Sequence, residues 1–358
     1  HLYICIHRFK PRCKSIDFLL IAQVHSGSHI KIITFISVDC NKIVINSYKS
    51  LEDFDLKRIF ADIRQKQDKN RRRRDMTDNR YRRLPVGIQS FKVIREENYL
   101  YVDKSDIVWN MVNLGDKYNY LSRPRRFGKS VLVDTLESYL EGRKDLFEGL
   151  KIMQLEKDWK HYPVIRLDMS RGGANEETLR SYLNLRFKDY EEKYNITPDP
   201  TAMLADRFHA IIATAYKQTG LRVAVLIDEY DSPLQHSWRT PEHEKCTGVY
   251  REVFAILKAD DEYEHFVFIT GITKFTQISL FSVLNNLSNI SFTPEYAAIC
   301  GITEEEIEEN FMPEIRQMSE ANNWSMQETH DRLKAYYDGY HFSRRNMVDV
   351  YNPYSLVN

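Results

Sequence analysis

Tyr120-Leu121-Ser122-Arg123-Pro124-Arg125-Arg126-Phe127-Gly128-Lys129-Ser130 is the stretch from which the fold is read. A phosphate-binding loop requires backbone N–H groups curled around an anion, a lysine reaching the β- and γ-phosphates, and a hydroxyl for Mg²⁺. Gly128, Lys129 and Ser130 supply the second half of that pattern. Val131-Leu132-Val133-Asp134-Thr135-Leu136 continues as a helix whose N-terminus faces the phosphates. The glycine that usually opens the pattern is Arg123 here. Taken as one loop, Arg123, Pro124, Arg125, Arg126, Phe127, Gly128, Lys129, Ser130 and Val131 surround the nucleotide.

Working outward, Tyr118 to Leu121 reads as a short strand entering the loop. Further on, Leu221-Arg222-Val223-Ala224-Val225-Leu226-Ile227-Asp228-Glu229-Tyr230-Asp231 is an apolar run ending in carboxylates. That is the pattern of a buried parallel strand delivering acids to its C-terminal edge. Asp228 is expected opposite Ser130, the two holding Mg²⁺, while Glu229 polarises the attacking water. A second apolar run, Tyr162 to Ser170, lies between the two motifs, so at least one strand separates the phosphate-loop strand from the acid-bearing strand. A fourth, Glu264 to Gly271, follows the acids and ends in a hydroxyl residue, Thr270. With a catalytic glutamate, such a strand lies between loop and acids, where Thr270 senses the γ-phosphate; the competing reading is a strand-end turn residue before Gly271.

These elements predict an α/β, three-layer P-loop NTPase over about residues 84–300, its parallel sheet of the catalytic-glutamate type, followed by a helical lid over 301–358. Glu176 to Lys193 and Met203 to Gln218 read as helices, broken by Thr197-Pro198-Asp199-Pro200. Glu242 to Lys258 links the acid strand to the Thr270 strand. Thr303 reads as the N-cap of a helical region running through Tyr337, its acidic start a solvated helix N-terminus stabilised by the dipole.

Several blocks from Leu84-Pro85-Val86-Gly87-Ile88 onward also resemble one family. They include Tyr99-Leu100-Tyr101-Val102-Asp103-Lys104, Ser122 to Ser130, and Leu226-Ile227-Asp228-Glu229-Tyr230-Asp231-Ser232-Pro233. Further on come Thr270-Gly271-Ile272-Thr273-Lys274-Phe275, Leu280 to Leu287, and Tyr337-Asp338-Gly339-Tyr340-His341-Phe342. The chain resembles the AAA-ATPase-like proteins abundant in bacteria of the Bacteroides type. The resemblance implies that Arg123 in place of the first glycine is compatible with nucleotide binding. Many members carry a restriction-endonuclease-like domain (the PD-(D/E)XK type) after the block that reads Tyr351-Asn352-Pro353-Tyr354 here. With the sequence stopping at Asn358, that domain is expected to be missing.

Composition narrows the class further. Lys plus Arg and Asp plus Glu both number 51, so no global charge favours nucleic acid or a membrane. Five cysteines without C-x-x-C spacing favour a reducing compartment, hence the cytoplasm, and no structural zinc. No apolar run reaches the roughly 18 residues needed to span a bilayer. Residues 1–75 differ in character: the first methionine is Met76, and Lys69-Asn70-Arg71-Arg72-Arg73-Arg74 is strongly basic. They read as an upstream segment outside the native domain, the alternative being a nucleic-acid-binding arm. Phe18–Val24 and Ile30–Val38 would form strands or a hairpin there, and Leu51–Gln65 a helix.

Two functions follow. One is a Mg²⁺-dependent ATPase that couples hydrolysis to movement of the lid or of an effector; the other is a nucleotide-binding switch that does not hydrolyse ATP. The Asp228-Glu229 pair favours the first, because a pure binder needs the metal aspartate but not the water-polarising glutamate. Lys129, Glu229 and Thr270 are the catalytic candidates, Ser130 and Asp228 the metal ligands. Lys274 is a candidate in-chain substitute for an arginine finger. The guanidiniums of Arg123, Arg125 and Arg126 would meet phosphates, a partner subunit or acids of the same chain, or remain solvated. The partners expected are ATP and either a second copy or an effector protein, with nucleic acid left open.

Overall fold

The apolar runs become strands because each is buried on both faces. In the computed structural model, which describes residues 16–23, 32–39, 42–48, 83–199, 201–272, 286–337, 339–343 and 348–357, the chain divides into two units, His1–Tyr81 and Arg82–Asn358. In the first unit β1 (Ile16–Gln23), β2 (Ile32–Asp39) and β3 (Lys42–Tyr48) form an antiparallel sheet in that order. Two of these strands fall on the expected apolar stretches; β3 is additional. The helix expected over 51–65 and the basic run at 69–74 lie outside the described residues.

In the second unit, five strands among the described residues make a parallel sheet: β4 (Tyr118–Ser122), β5 (Val164–Asp168), β6 (Val223–Asp228), β7 (Glu264–Gly271) and β8 (Ser288–Asn289). Their spatial order is β5-β6-β7-β4-β8. The strand lying between the phosphate-loop strand β4 and the acid strand β6 is therefore the Thr270 strand. The Val164–Asp168 run lies beyond β6 at the edge of the sheet.

Residue alternation sorts the two faces. Val223, Val225 and Ile227 of β6, with Val267 and Ile269 of β7, join one buried cluster with α4 (Glu176–Lys193), α5 (Leu204–Thr219) and α6 (Glu242–Phe254). Ala224, Leu226, Phe266 and Phe268 face the opposite cluster, built with α1 (Phe91–Glu96), α2 (Ser105–Asn113) and α3 (Lys129–Leu140). The sheet thus lies between two helical layers, an α/β P-loop ATPase-type fold. The next positions on the α3 side are Asp228 and Thr270, so alternation alone carries both toward the helix that bears Lys129 and Ser130. Arg166 on β5 fastens α3 further, with ion pairs to Asp134 at 2.7 Å and Glu137 at 2.5 Å.

The C-terminal region is helical: α7 (Glu304–Asn310), α8 (Met312–Asn322) and α9 (Met326–Tyr337). Thr303 caps α7 in a capping box, accepting from the Glu306 N–H while the Glu306 carboxylate accepts from the Thr303 N–H. The acidic start of α7 is more than solvated helix surface. Glu306 also pairs with the buried Lys104 at 2.5 Å, and Glu304 pairs with His330. Ile307, Phe311, Ile315 and Leu333 bury against Leu100 and Tyr351. Beyond α9, β9 (Tyr340–His341) pairs antiparallel with β10 (Asp349–Val350), and a helical turn, α10 (Pro353–Val357), follows. No helix among the described residues is long and apolar enough to cross a membrane.

Candidate functional site

At the C-terminal edge of the sheet, β4 ends at Ser122 beside Gly271 of β7, and the Arg123 N–H donates to the Gly271 carbonyl at 3.2 Å. The chain then turns through Arg126 at φ 66° and Gly128 at φ 85° into α3. Left-handed backbone is unstrained for glycine, and no atom lies within 4 Å of where a Cβ on Gly128 would stand. The loop therefore keeps open space against the first turn of α3, where amide groups lack intrahelical partners.

Lys129 is buried, and its Nζ donates to the carbonyls of Arg123 (3.1 Å) and Pro124 (3.0 Å). The ammonium thus closes the loop on itself. Burial pulls its pKa below the usual lysine value, while Cys300, Asp228 and Glu229 act in the opposite direction. Asp228 is buried and its pKa is raised to about 6, first by burial and then by the charges of Glu229 and Asp168, with a hydrogen bond from Ser130 opposing them. The Ser130 hydroxyl thus faces Asp228 across the α3–β6 junction.

Past Asp228 the chain leaves the strand sharply. Glu229 adopts φ 48°, its N–H donates to Asp228 Oδ1 at 2.9 Å, and its side chain is half-buried. Left-handed geometry at a non-glycine residue costs energy unless its surroundings impose it. Here the surroundings do: the Tyr230 N–H donates to the Thr270 carbonyl, and the Ile272 N–H donates to Asp231 Oδ2 at 3.0 Å. The end of the acid strand is stitched to the end of the Thr270 strand. Thr270 itself is fully buried, and among the described residues its Oγ1 finds no hydrogen-bond partner. An unpaired buried hydroxyl is costly, so a polar group waiting at this edge calls for a partner.

The loop's remaining side chains divide. Arg123 turns inward. Its guanidinium is buried, donates to the carbonyls of Ser122, Ser291 (2.8 Å) and Tyr296 (2.9 Å), and lies 4.0 Å from the Phe342 ring centre. The side chain pins the loop to the segment after β8 through these carbonyls, at the position where the first glycine is missing. Phe127 is also in the core, edge-on to Tyr340 and Phe342. Arg125 and Arg126 are exposed, and Arg126 lies 4.2 Å from the Tyr354 ring centre. Pro124 presents its carbonyl to Lys129, and Val131 lies within the first turn of α3. Lys274 falls outside the described residues. Sequence reading missed the aromatic clasp of Tyr340, Phe342 and Tyr354; its one signal was the density of aromatic residues between Tyr336 and Tyr354.

Residues 85–281, more than half of the chain, match the family model described as predicted AAA-ATPase. The chain belongs to this AAA-ATPase-like family. A curated relative, an uncharacterized protein encoded in the vnfD 5′ region of Azotobacter chroococcum mcd 1, is 35% identical over 281 residues, covering 77% of this chain and 51% of that protein. The chain thus spans about half the length of that relative. Among solved structures, Cdc6p from Pyrobaculum aerophilum aligns with 60% of this chain and 45% of its own at 14% identity and a TM-score of 0.27, an overlap too small to bear on the site.

The residues present fit a Mg²⁺–nucleotide. The loop leaves open space at Gly128, a lysine closes it, a hydroxyl faces a buried carboxylate, and a buried hydroxyl lacks a partner among the described residues. Among the described residues no group of three or more His, Cys, Asp and Glu is arranged to hold a metal by itself. A metal arriving with phosphates is the kind this donor set suits, since Mg²⁺ takes few protein ligands and completes its shell with phosphate and water.

Proposed function

We propose that this protein binds ATP with Mg²⁺ at the C-terminal edge of the β4–β8 sheet and hydrolyses it. The observation that carries this reading is convergence. Lys129 and Ser130 at the start of α3 meet Asp228 and Glu229 at the end of β6, with Thr270 on the strand between.

In this reading Lys129 exchanges the Arg123 and Pro124 carbonyls for phosphate oxygens and neutralises charge that the first-turn amides of α3 also face. Ser130 and Asp228 would hold Mg²⁺, which would supply charge neutralisation on the phosphates. Glu229 orients water and takes up its proton as the oxygen bonds to the γ-phosphorus; the bond to the β-phosphate oxygen breaks, leaving ADP and phosphate. The Thr270 hydroxyl gains its missing partner at the γ-phosphate. Burial of Asp228 supports this assignment, because a carboxylate with a raised pKa gains from a cation beside it.

Two variants test the proposal. Lys129→Ala is expected to abolish ATP binding in calorimetry. Glu229→Gln keeps shape and hydrogen bonding without the negative charge; it should bind ATP like wild type while turnover falls roughly 10²-fold or more. Equal turnover in Glu229→Gln and wild type would favour the non-hydrolysing switch. Normal binding by Lys129→Ala would sink the phosphate-loop assignment itself.

A further inference from the structure

Alternation brings a third acid to the edge that carries Asp228. On β5, Ile165 and Leu167 join the cluster of α4, α5 and α6, while Val164 joins the α3 cluster and Arg166 pairs with Asp134 and Glu137 of that helix. Asp168 therefore leaves the strand on the α3 side. It is the register partner of Asp228 on β6, and the register that pairs Ile227 with Ile269 sets Thr270 level with both. A row thus crosses three strands: Asp168, Asp228, Thr270. The two carboxylates are near enough that the Asp168 charge acts on Asp228. Thr270 Oγ1, beside Asp228 in the row, is fully buried and has no hydrogen-bond partner among the described residues.

The two oxygens of Asp168 are used unequally. Oδ1 accepts from the Ser170 N–H at 3.2 Å and the Ser170 hydroxyl at 2.6 Å, capping the short helix Met169–Arg171. Oδ2 meets Arg171 Nε at 3.3 Å, but the Arg171 side chain is 72% exposed, so water screens that pair. A turn cap needs an oxygen, which asparagine or serine supplies as well; it does not need a charge beside another carboxylate. Neighbouring like charges repel, and a cation next to them offsets that cost. Resting on the ATP-site reading above, we propose that Asp168 is a positioning residue for Mg²⁺, accepting hydrogen bonds from the water shell of the ion that Ser130 and Asp228 hold. Among the described residues no three His, Cys, Asp or Glu side chains are arranged to ligate a metal directly, which leaves Asp168 the outer shell. That role suits an ion that keeps several waters, and outer-shell acceptors orient the inner one.

Calorimetric ATP titrations of the full chain over a series of Mg²⁺ concentrations test this. In Asp168→Asn the amide oxygen keeps the cap, while the NH₂ that replaces Oδ2 can donate but not accept. Asp168→Ser keeps the cap and has no second oxygen. In both, the Mg²⁺ concentration that gives half of the metal's gain in ATP affinity should rise roughly tenfold. Affinity for ATP in EDTA should stay the same or improve, since a negative charge near the phosphates is gone. A loss of affinity equal with and without Mg²⁺ would overturn the proposal, because it marks a disturbed loop. Failure of both variants to fold would overturn it too, because the charge would then be serving the fold. If wild type does not bind ATP, the ATP-site reading and this role fall together. If it binds with a Mg²⁺ requirement indifferent to Asp168, this role alone falls.

Discussion

Each edge of the β4–β8 sheet buries a carboxylate whose pKa is raised chiefly by burial: Asp228 at the C-terminal edge, to about 6, and Glu264 at the N-terminal edge, to about 8. Around Glu264 the polar groups are spent on one another. The Tyr118 hydroxyl lies 2.7 Å from Glu264 Oε2 and 3.1 Å from both the Leu257 carbonyl and Asp261 Oδ1, while Lys117 pairs with Asp261 at 2.6 Å. The other oxygen of Glu264 has no partner, and a proton on the acid relieves that cost. Around Asp228 the groups are less committed: among the described residues Lys129 holds loop carbonyls and Thr270 Oγ1 has no partner, while Arg126 and Glu229 are in left-handed backbone. The same physical event, burial of a carboxylate, serves packing where its neighbours close on it and, in the function proposed here, chemistry where they stay open.

Substitutions can break this comparison or sharpen it. The largest effect is expected at Arg123, a polar residue of the C-terminal edge committed to packing. Arg123→Ala strands two carbonyls after β8 and removes the support of Phe342, and should cost roughly 3–5 kcal/mol of stability in denaturant unfolding. A cost below about 1 kcal/mol would mean that the guanidinium is not the pin that replaces the missing glycine.

Next in size is the pH dependence of Glu264→Gln. Burial raises the acid's pKa to about 8 in the folded protein, from its ordinary value of 4.5 in the unfolded chain. Below the lower value both states are protonated and folding carries no penalty. Between the two, the unfolded chain loses the proton while the folded chain keeps it, so stability falls as pH rises and levels off above the folded value. Glutamine does not titrate, so the stability of Glu264→Gln relative to wild type should climb across that window, by on the order of 2–4 kcal/mol between about pH 5 and 8. A pH-independent difference would show that this carboxyl is ionised in the folded protein.

The smallest effects are a crossed pair. Tyr118→Phe should lower stability by about 1–2 kcal/mol and leave ATP turnover unchanged. Thr270→Val removes a hydroxyl that has no partner, so stability should move by less than about 0.5 kcal/mol, while turnover drops roughly tenfold or more. Loss of stability in Thr270→Val with turnover intact would reverse the roles assigned to the two edges.

Much of this architecture is legible along the chain. Continuous apolar runs mark β5, β6 and β7 because strands buried on both faces need no alternation. Gly128-Lys129-Ser130 marks the entry to α3, and Thr303 the start of α7. Strand β8 left no trace, since two residues carry no periodic signal.

What the sequence determined by itself is the set of local commitments: where strands run, where helices begin, and that acids and a lysine stand at strand and helix ends. Those follow from burial and backbone propensity within a few residues. Which strand separates β4 from β6, which way Arg123 points, and which aromatic rings close on the phosphate loop were decided only by tertiary structure. Each depends on a contact between residues far apart in the chain, such as Arg123 with Ser291 or Arg126 with Tyr354. A guanidinium in a loop has the same composition whether it meets phosphate, water or a ring; the surface brought against it selects among them.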